Sequence, residues 1–364
     1  MTTQDALTDV RGLRVGHAQR TGDDRPGWLS GTTVVLTPEG GAVAGVDSRG
    51  GAPGTRETDA LDPRNVVERI HAVVLTGGSA FGLDSVAGVM SWLEEQGRGV
   101  PVGSHPAQVV PVVPAAVLFD LGRGGGWRSR PDATLGREAV EAASRTEPGA
   151  PVRQGNVGAG TGAVVGGLKG GIGSASTVLP SGVTVGVLAA VNAAGSALDP
   201  ATGVLYGEMW DGRPPRVPGS AAHEEAQRRL AQAQQETGRR SAGVLRPPFN
   251  TTLAVVATDA ALTRAQAQKL AGTAHDGLAR GVRPVHLMHD GDTVFALSTG
   301  ERPLEGTELN DVLAAGADGL TRAVVKAVLA ADSVDGPGGV FPSYRDLYAR
   351  PAAGSEGPAV SGSA

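Results

Sequence analysis

The chain has 364 residues, 56 of them Gly and none Cys, with 40% hydrophobic residues, only 3% aromatic ones and a net charge of −5. That length suits one large domain or two ordinary ones, and the core must be built from aliphatic side chains and closely approaching backbone. The absence of Cys excludes disulfides, thiol catalysis and Cys-ligated metals, and the acidic balance without a long basic run argues against nucleic acid as a partner. Residues 1–15 lack a basic start followed by an apolar stretch, so no signal peptide is expected, and no run approaches the roughly 20 apolar residues that span a bilayer. The expectation is a cytoplasmic protein with no membrane partner.

In chain order, 32–36 and 72–75 read as buried strands, being β-branched and bounded by turn residues. Residues 79–96 read as one helix, with Ser79 as its cap, Phe81, Val86, Val89, Met90 and Leu93 at helical spacing, and Gly97 closing it. Residues 155–176 are Gly-rich with interspersed Val and Ile, and 183–191 form a strong strand candidate. The polar segment 220–240 reads as an exposed helix with few apolar positions. A strand is expected at 253–258, then a helix capped by Thr263 and running to 279. A hairpin turn is read at His289-Asp290-Gly291-Asp292, followed by a strand at 293–298 and an amphipathic helix at 309–331. Residues 351–364 are small, polar and Gly/Ser-rich, a composition that favours disorder. Strands mixed with helices, without strict alternation, suggest stacked sheets covered by helices, an α+β arrangement.

Several residues carry candidate chemistry. Asn250-Thr251-Thr252 lies between a proline-rich loop and the apolar strand. These residues alone read as the opening of a strand, because Thr favours strands and Asn favours turns. If the bond before Thr251 is cut, Thr251 gains an α-amine of pKa near 8 within reach of its own hydroxyl, so one residue supplies both nucleophile and base. Lys169 is one of three lysines against 29 arginines and sits among glycines in Gly166-Gly167-Leu168-Lys169-Gly170-Gly171. It reads either as a solvated surface residue or as a cation beside a nucleophile. Asn192 ends an apolar strand, where its amide can satisfy a turn or donate to an oxyanion. Gly158-Ala159-Gly160-Thr161-Gly162 lacks both the Walker A Lys and the GxGxxG spacing, so tight packing accounts for it. His286, His289, Asp290 and Asp292 include metal-ligand types, but on a strand the two histidines would point to opposite faces, so no metal is expected. The two carboxylates can orient an amine or a hydroxyl. Nothing in the pattern calls for a cofactor.

Taken in order, Thr8-Asp9-Val10 to Gly16-His17, Gly77-Gly78-Ser79-Ala80-Phe81-Gly82, Gly155-Asn156-Val157 to Gly162, Lys169-Gly170-Gly171, Val191-Asn192, Asn250-Thr251-Thr252 and Asp290-Gly291-Asp292-Thr293 cover nearly the whole chain. In this set the chain resembles the DmpA/BapA-type β-peptidyl aminopeptidases and their relative, the nylon-oligomer hydrolase NylC. The resemblance implies an αββα sandwich of the DmpA/ornithine-acetyltransferase kind, a single domain over 1–350. It also implies self-cleavage between Asn250 and Thr251 into chains 1–250 and 251–364, and hydrolysis of amide bonds in small peptides or peptide-like oligomers. By position, Lys169 assists the nucleophile, Asn192 serves the oxyanion, and Asp290 and Asp292 orient the Thr251 amine and hydroxyl. A homo-oligomer, tetramer or larger, is implied as well. The aminopeptidases place a Glu and a Tyr where this chain has Val117 and Phe119; neither replacement pairs with an ammonium or donates a hydrogen bond. The expected substrate pocket around Val117 and Phe119 is therefore more apolar. Two other readings stay open: an uncleaved small-molecule-binding protein of the same fold, and an acyltransferase.

Overall fold

The computed structural model describes residues 3–210, 212, 214–215, 217–241 and 249–348. The terminal stretch 351–364 and Arg246-Pro247-Pro248 lie outside the described residues. Ten strands build two five-stranded sheets: β1 (Arg14–Thr21), β2 (Leu29–Leu36), β3 (Val43–Ser48), β4 (Thr55–Arg56), β5 (Ala72–Thr76), β6 (Ala115–Val117), β7 (Gly171–Val178), β8 (Thr184–Val191), β9 (Leu253–Ala260) and β10 (Thr293–Arg302). The first sheet runs β1-β2-β5-β6-β4 and the second β7-β8-β9-β10-β3. Each has one parallel pair, β5 with β6 and β9 with β10, and its other pairs are antiparallel.

Alternation along the strands sorts side chains into layers, as the period of two requires. On β9, Leu253, Val255 and Ala257 meet Val35, Val73 and Leu75 of the first sheet, whereas Ala254 and Val256 face the opposite way. Helices cover both outer faces. Of these, α1 (Ser85–Glu95) and α2 (Ala133–Arg145) lie on the first sheet. On the second, α4 (Arg264–Gly281) and α5 (Glu308–Ala330) pack against β3, β7 and β8. The result is the αββα sandwich expected from the sequence. Among the described residues no helix is long and apolar enough to cross a membrane.

The glycine content has a packing cause. A Cβ on Gly16 of β1 would lie 2.2 Å from the Ala139 carbonyl oxygen of α2, and one on Gly173 of β7 would lie 1.9 Å from the Ala323 oxygen of α5. Helix backbone thus seats directly on strand backbone, which lets a chain poor in aromatics fill its layers.

Several local expectations hold. Thr263 caps α4 through a capping box with Gln266. The segment Ser220–Arg240 is a single helix, α3, but Ala226, Leu230 and Ala233 form a buried stripe, so it is docked rather than free-standing.

Two expectations are corrected. Residues 79–96 are not one helix. Ser79 has φ 51° and no capping bond, and Ser79–Asp84 form a 3-10 segment ahead of α1. Gly78 and Gly82 explain the tight entry, since a Cβ on Gly82 would strike the Gly77 carbonyl oxygen at 1.8 Å. The His289–Asp292 turn does not close a hairpin either. β10 runs parallel to β9, with α4 as the crossover that a parallel pair needs. The two aspartates instead bond backbone N–H groups of neighbouring loops, side-chain acceptors winning over turn closure. His286 is therefore not on a strand, and its φ is 59°.

If Gly173 is needed for close approach, Gly173→Ala is expected to lower stability by about 1–3 kcal/mol in urea unfolding of a chain kept whole by Thr251→Ala, as overpacking against fixed backbone does. Gly238, on exposed α3 with nothing within 4 Å of its Cβ position, is the control. Gly238→Ala is expected to be neutral or stabilising, because Ala loses less backbone freedom in a helix.

Candidate active site

Three strand ends meet at the Asn250–Thr251 junction. β8 ends at Val191, just before Asn192; β9 starts two residues after Thr251; β10 starts directly after Asp292. Pairing of Leu253 with Ala190 on one side and Thr293 on the other carries this alignment beyond the strands. The Thr251 N–H accordingly donates to the Asn192 carbonyl at 2.8 Å, and Asn250 bridges Asp290.

Thr251 is buried, at 5% exposure. Its hydroxyl donates to the Asn250 carbonyl oxygen at 2.5 Å and accepts the Gly291 N–H at 3.1 Å. The same N–H lies 3.2 Å from the Asn250 oxygen. A hydroxyl thus rests against a carbonyl whose oxygen already faces a backbone donor, the arrangement that stabilises charge when a nucleophile adds to the carbon. Only glycine fits at 291: a Cβ would lie 2.7 Å from Thr251 Oγ1 and 2.6 Å from the Ala52 carbonyl oxygen.

The two aspartates aim this loop. Asp292 accepts the Thr252 N–H at 2.8 Å with one oxygen and His286 Nδ1 at 2.8 Å with the other. Asp290 accepts the Leu287 N–H at 3.0 Å. Burial, and then the charge of Asp292, pushes the Asp290 carboxyl above its usual range, against the pull of the Leu287 and Ala194 N–H groups. In the uncut chain these carboxylates bond the backbone around Thr251 rather than Thr251 itself.

Asn192 is fully buried, with its Oδ1 accepting from Arg123 and from the Val164 N–H at 3.0 Å. Its Nδ2 donates to the Phe119 carbonyl at 3.3 Å. The donor placed on the Asn250 oxygen is therefore the Gly291 N–H, and not the Asn192 side chain.

Lys169 is not a surface residue. It is fully buried, and its ammonium donates to the carbonyls of Gly160, Ala163 and Gly170 at 2.8–2.9 Å. All three of its donors are taken, so it braces the glycine-rich 160–170 loop, whose Val164 holds Asn192. Burial, reinforced by the positive charge of Arg123, lowers Lys169 to about 7 against the opposing pull of Asp120 and Asp332. Val117 is buried beneath Gly54, and Phe119 packs its ring on Phe249 at 5.8 Å. Neither is among the described residues lining the cleft that reaches Asn250. That cleft, of about 570 Å³, is lined by Arg123, Val164, Ser196, Gln234, Arg283 and Phe341 among others.

Arg123 is the residue sequence reasoning missed. It donates to the Gly162 carbonyl at 2.7 Å, to Asn192 Oδ1 and to Asn250 Oδ1 at 2.8 Å. Its setting, Gly122-Arg123-Gly124-Gly125-Gly126, carries the same signal as Lys169: one cation isolated among glycines. Gly291, hidden inside what read as a turn, was missed for lack of any side-chain cue. Among the described residues no group of three or more His, Asp or Glu side chains is placed to hold a metal ion.

Known proteins agree with this architecture. The model of peptidase family S58 matches residues 5–341. An uncharacterized aminopeptidase of Mycobacterium tuberculosis is 48% identical, covering 94% of this chain and 98% of its own. A 6-aminohexanoate-oligomer endohydrolase of a Kocuria strain is 32% identical, over 82% of this chain and 76% of its own. Among solved structures, an L-aminopeptidase D-Ala-esterase/amidase of Ochrobactrum anthropi, described as a variant of the Ntn hydrolase fold, superposes with a TM-score of 0.69. It is 21% identical and covers 94% of this chain and 91% of its own. A Burkholderia β-aminopeptidase gives 0.67 at 22% identity, with 95% of both chains covered.

The depressed Lys169 has a measurable signature. Unfolding returns it from about 7 to its ordinary 10.5, so between those values the unfolded chain binds more protons and stability rises with pH. Denaturant unfolding from pH 7 to 10 is expected to show this rise, and Lys169→Met to flatten it, whereas the exposed Lys269→Met leaves it unchanged. Parallel pH profiles for wild type and Lys169→Met would contradict the assignment.

Proposed function

The chain belongs to peptidase family S58, and on that premise we propose that it is a self-processing amide hydrolase whose N-terminal nucleophile is Thr251. The observation that carries this reading is the Thr251 hydroxyl held against the Asn250 carbonyl, with the Gly291 N–H bonded to both oxygens. In maturation Thr251 Oγ bonds to the Asn250 carbonyl carbon, the C–N bond breaks, and the hydroxyl proton passes to the Thr251 nitrogen. Water then hydrolyses the ester, leaving a carboxylate on Asn250 and a free hydroxyl and amine on Thr251. During turnover the amine takes the hydroxyl proton as Oγ attacks a substrate amide, and that proton leaves with the departing amine; water then hydrolyses the acyl ester on Oγ, releasing a carboxylic acid and restoring the hydroxyl. Gly291 N–H holds the oxyanion, joined by the second N–H of the Asn192 amide, whose first is on the Phe119 carbonyl. Asp290 and Asp292 orient the new amine, which already lies against the Asn192 carbonyl, and Lys169 fixes the loop that holds Asn192.

The substrates of this reading are small peptides or peptide-like oligomers, in keeping with the names its relatives carry. The enzyme is taken as cytoplasmic and as a homo-oligomer, tetramer or larger. Support for association comes from the exposed apolar residues Val100, Val102 and Val110 on one short hairpin.

Intact-mass analysis of the purified protein tests the reading: two chains, 1–250 and 251–364, are expected. Thr251→Ala is expected to remain a single chain without amidase activity. A full-length wild-type chain, or activity surviving Thr251→Ala, overturns it. Gly291→Ala, whose methyl collides with Thr251 Oγ1 and so displaces the N–H, is expected to slow self-cleavage by tenfold or more, up to the roughly 10²-fold or greater effect of losing an oxyanion donor outright.

A further inference from the structure

We infer that Arg123 selects substrates whose acyl side carries a carboxylate or carboxamide side chain. The inference rests on the reading of Thr251 as nucleophile. In the uncut chain Asn250 occupies the place of the residue whose carbonyl is attacked, so its side chain marks the acyl-side subsite. That side chain is held by Arg123 Nη2 at Asn250 Oδ1, 2.8 Å away. The guanidinium is fixed independently of Asn250, because its Nη1 bonds the Gly162 carbonyl and Asn192 Oδ1. After the cut, Nη2 still faces the place that the Asn250 side chain holds in the uncut chain.

A guanidinium only donates, so its complement is an acceptor oxygen, and a charged carboxylate makes the stronger bond. The cleft agrees. Arg123 and Arg283 both line it, and its described lining residues include no Asp or Glu. Such a surface favours an anionic or amide-bearing acyl group, and its described lining residues offer no carboxylate to pair with an ammonium. The specificity therefore comes from a donor on the loop after β6, where Val117 and Phe119 themselves supply none.

The test uses the matured enzyme and p-nitroanilides of N-acetyl-aspartate, N-acetyl-asparagine and N-acetyl-leucine, each cut at the α-carbonyl. The kcat/KM for the aspartyl and asparaginyl anilides is expected to exceed that for the leucyl anilide by tenfold or more, mainly through KM. In Arg123→Met the three values are expected to converge within about twofold, a ratio that cancels any general loss of activity. Should Arg123→Met stay uncut, self-cleavage of Asn250→Leu decides. A tenfold slower cut than in Asn250→Asp supports the inference, and an equal rate overturns it. Cleavage of all three anilides without preference, or a preference unchanged in Arg123→Met, overturns this inference alone. A chain that cuts neither itself nor any anilide overturns the nucleophile reading with it.

Discussion

The parallel pairing of Leu253 with Thr293, flanked by the antiparallel pairing of Leu253 with Ala190, is the constraint on which the site depends. Three segments distant in sequence, ending at Asn192, starting at Thr251 and starting at Asp292, are brought to one level only because those registers are fixed. Sheet register has a period of two, so a slip of one residue would turn Thr251 to the other face and move Gly291 off its oxygen. The registers are in turn fixed by burial on both faces. Leu253, Val255 and Ala257 serve one layer of the sandwich, and Ala254 and Val256 the other. The geometry of the candidate site is thus enforced by aliphatic packing several residues away.

A second constraint is electrostatic. Arg123 lies close enough to shift both Asp120 and Lys169, and those two shift each other. Burial raises the Asp120 carboxyl and lowers the Lys169 ammonium, while their mutual attraction opposes both shifts. Placing charges here is costly in isolation, and the structure offsets the cost with backbone. Lys169 has three carbonyl acceptors, and Asp120 accepts the Gly78 N–H at 2.7 Å. Glycine makes those partners reachable, since side chains at 77 or 162 would occupy the space of the Asp120 carboxyl. The glycine runs, read from the sequence as tight packing, also supply carbonyls and N–H groups to buried ions.

Much of this was legible in the sequence where a local cause sets the structure. The capping box at Thr263 and Gln266, the apolar run of β9 and the periodicity of α5 are of this kind. The ordered motifs led to the family as well. What was not legible depends on contacts between distant segments. Asp290-Gly291-Asp292 has the composition of a hairpin turn, and only the β9–α4–β10 crossover makes it a loop that aims an N–H at Thr251. Ser79 looked like a cap until the crowded Gly77–Gly82 turn forced a 3-10 entry. Lys169 carried a signal without a direction, since glycines suit an exposed loop and a close-packed cradle equally. Arg123 carried the same signal and escaped notice among 29 arginines.

The second sheet interleaves its strands across residue 250: β7, β8 and β3 come from one side, β9 and β10 from the other, with β9 seated between β8 and β10. A break at that position would separate no layer and free no strand, so the nicked molecule would be held together by the same ladders as before. Its unfolding would have a different character. Once the two pieces drifted apart, recovery would require a bimolecular encounter and the reinsertion of a central strand pair into a sheet missing its middle. The nick would make folding history-dependent: the fold is assembled once, as a single chain, and afterwards persists by the slowness of its opening rather than by reversible equilibrium.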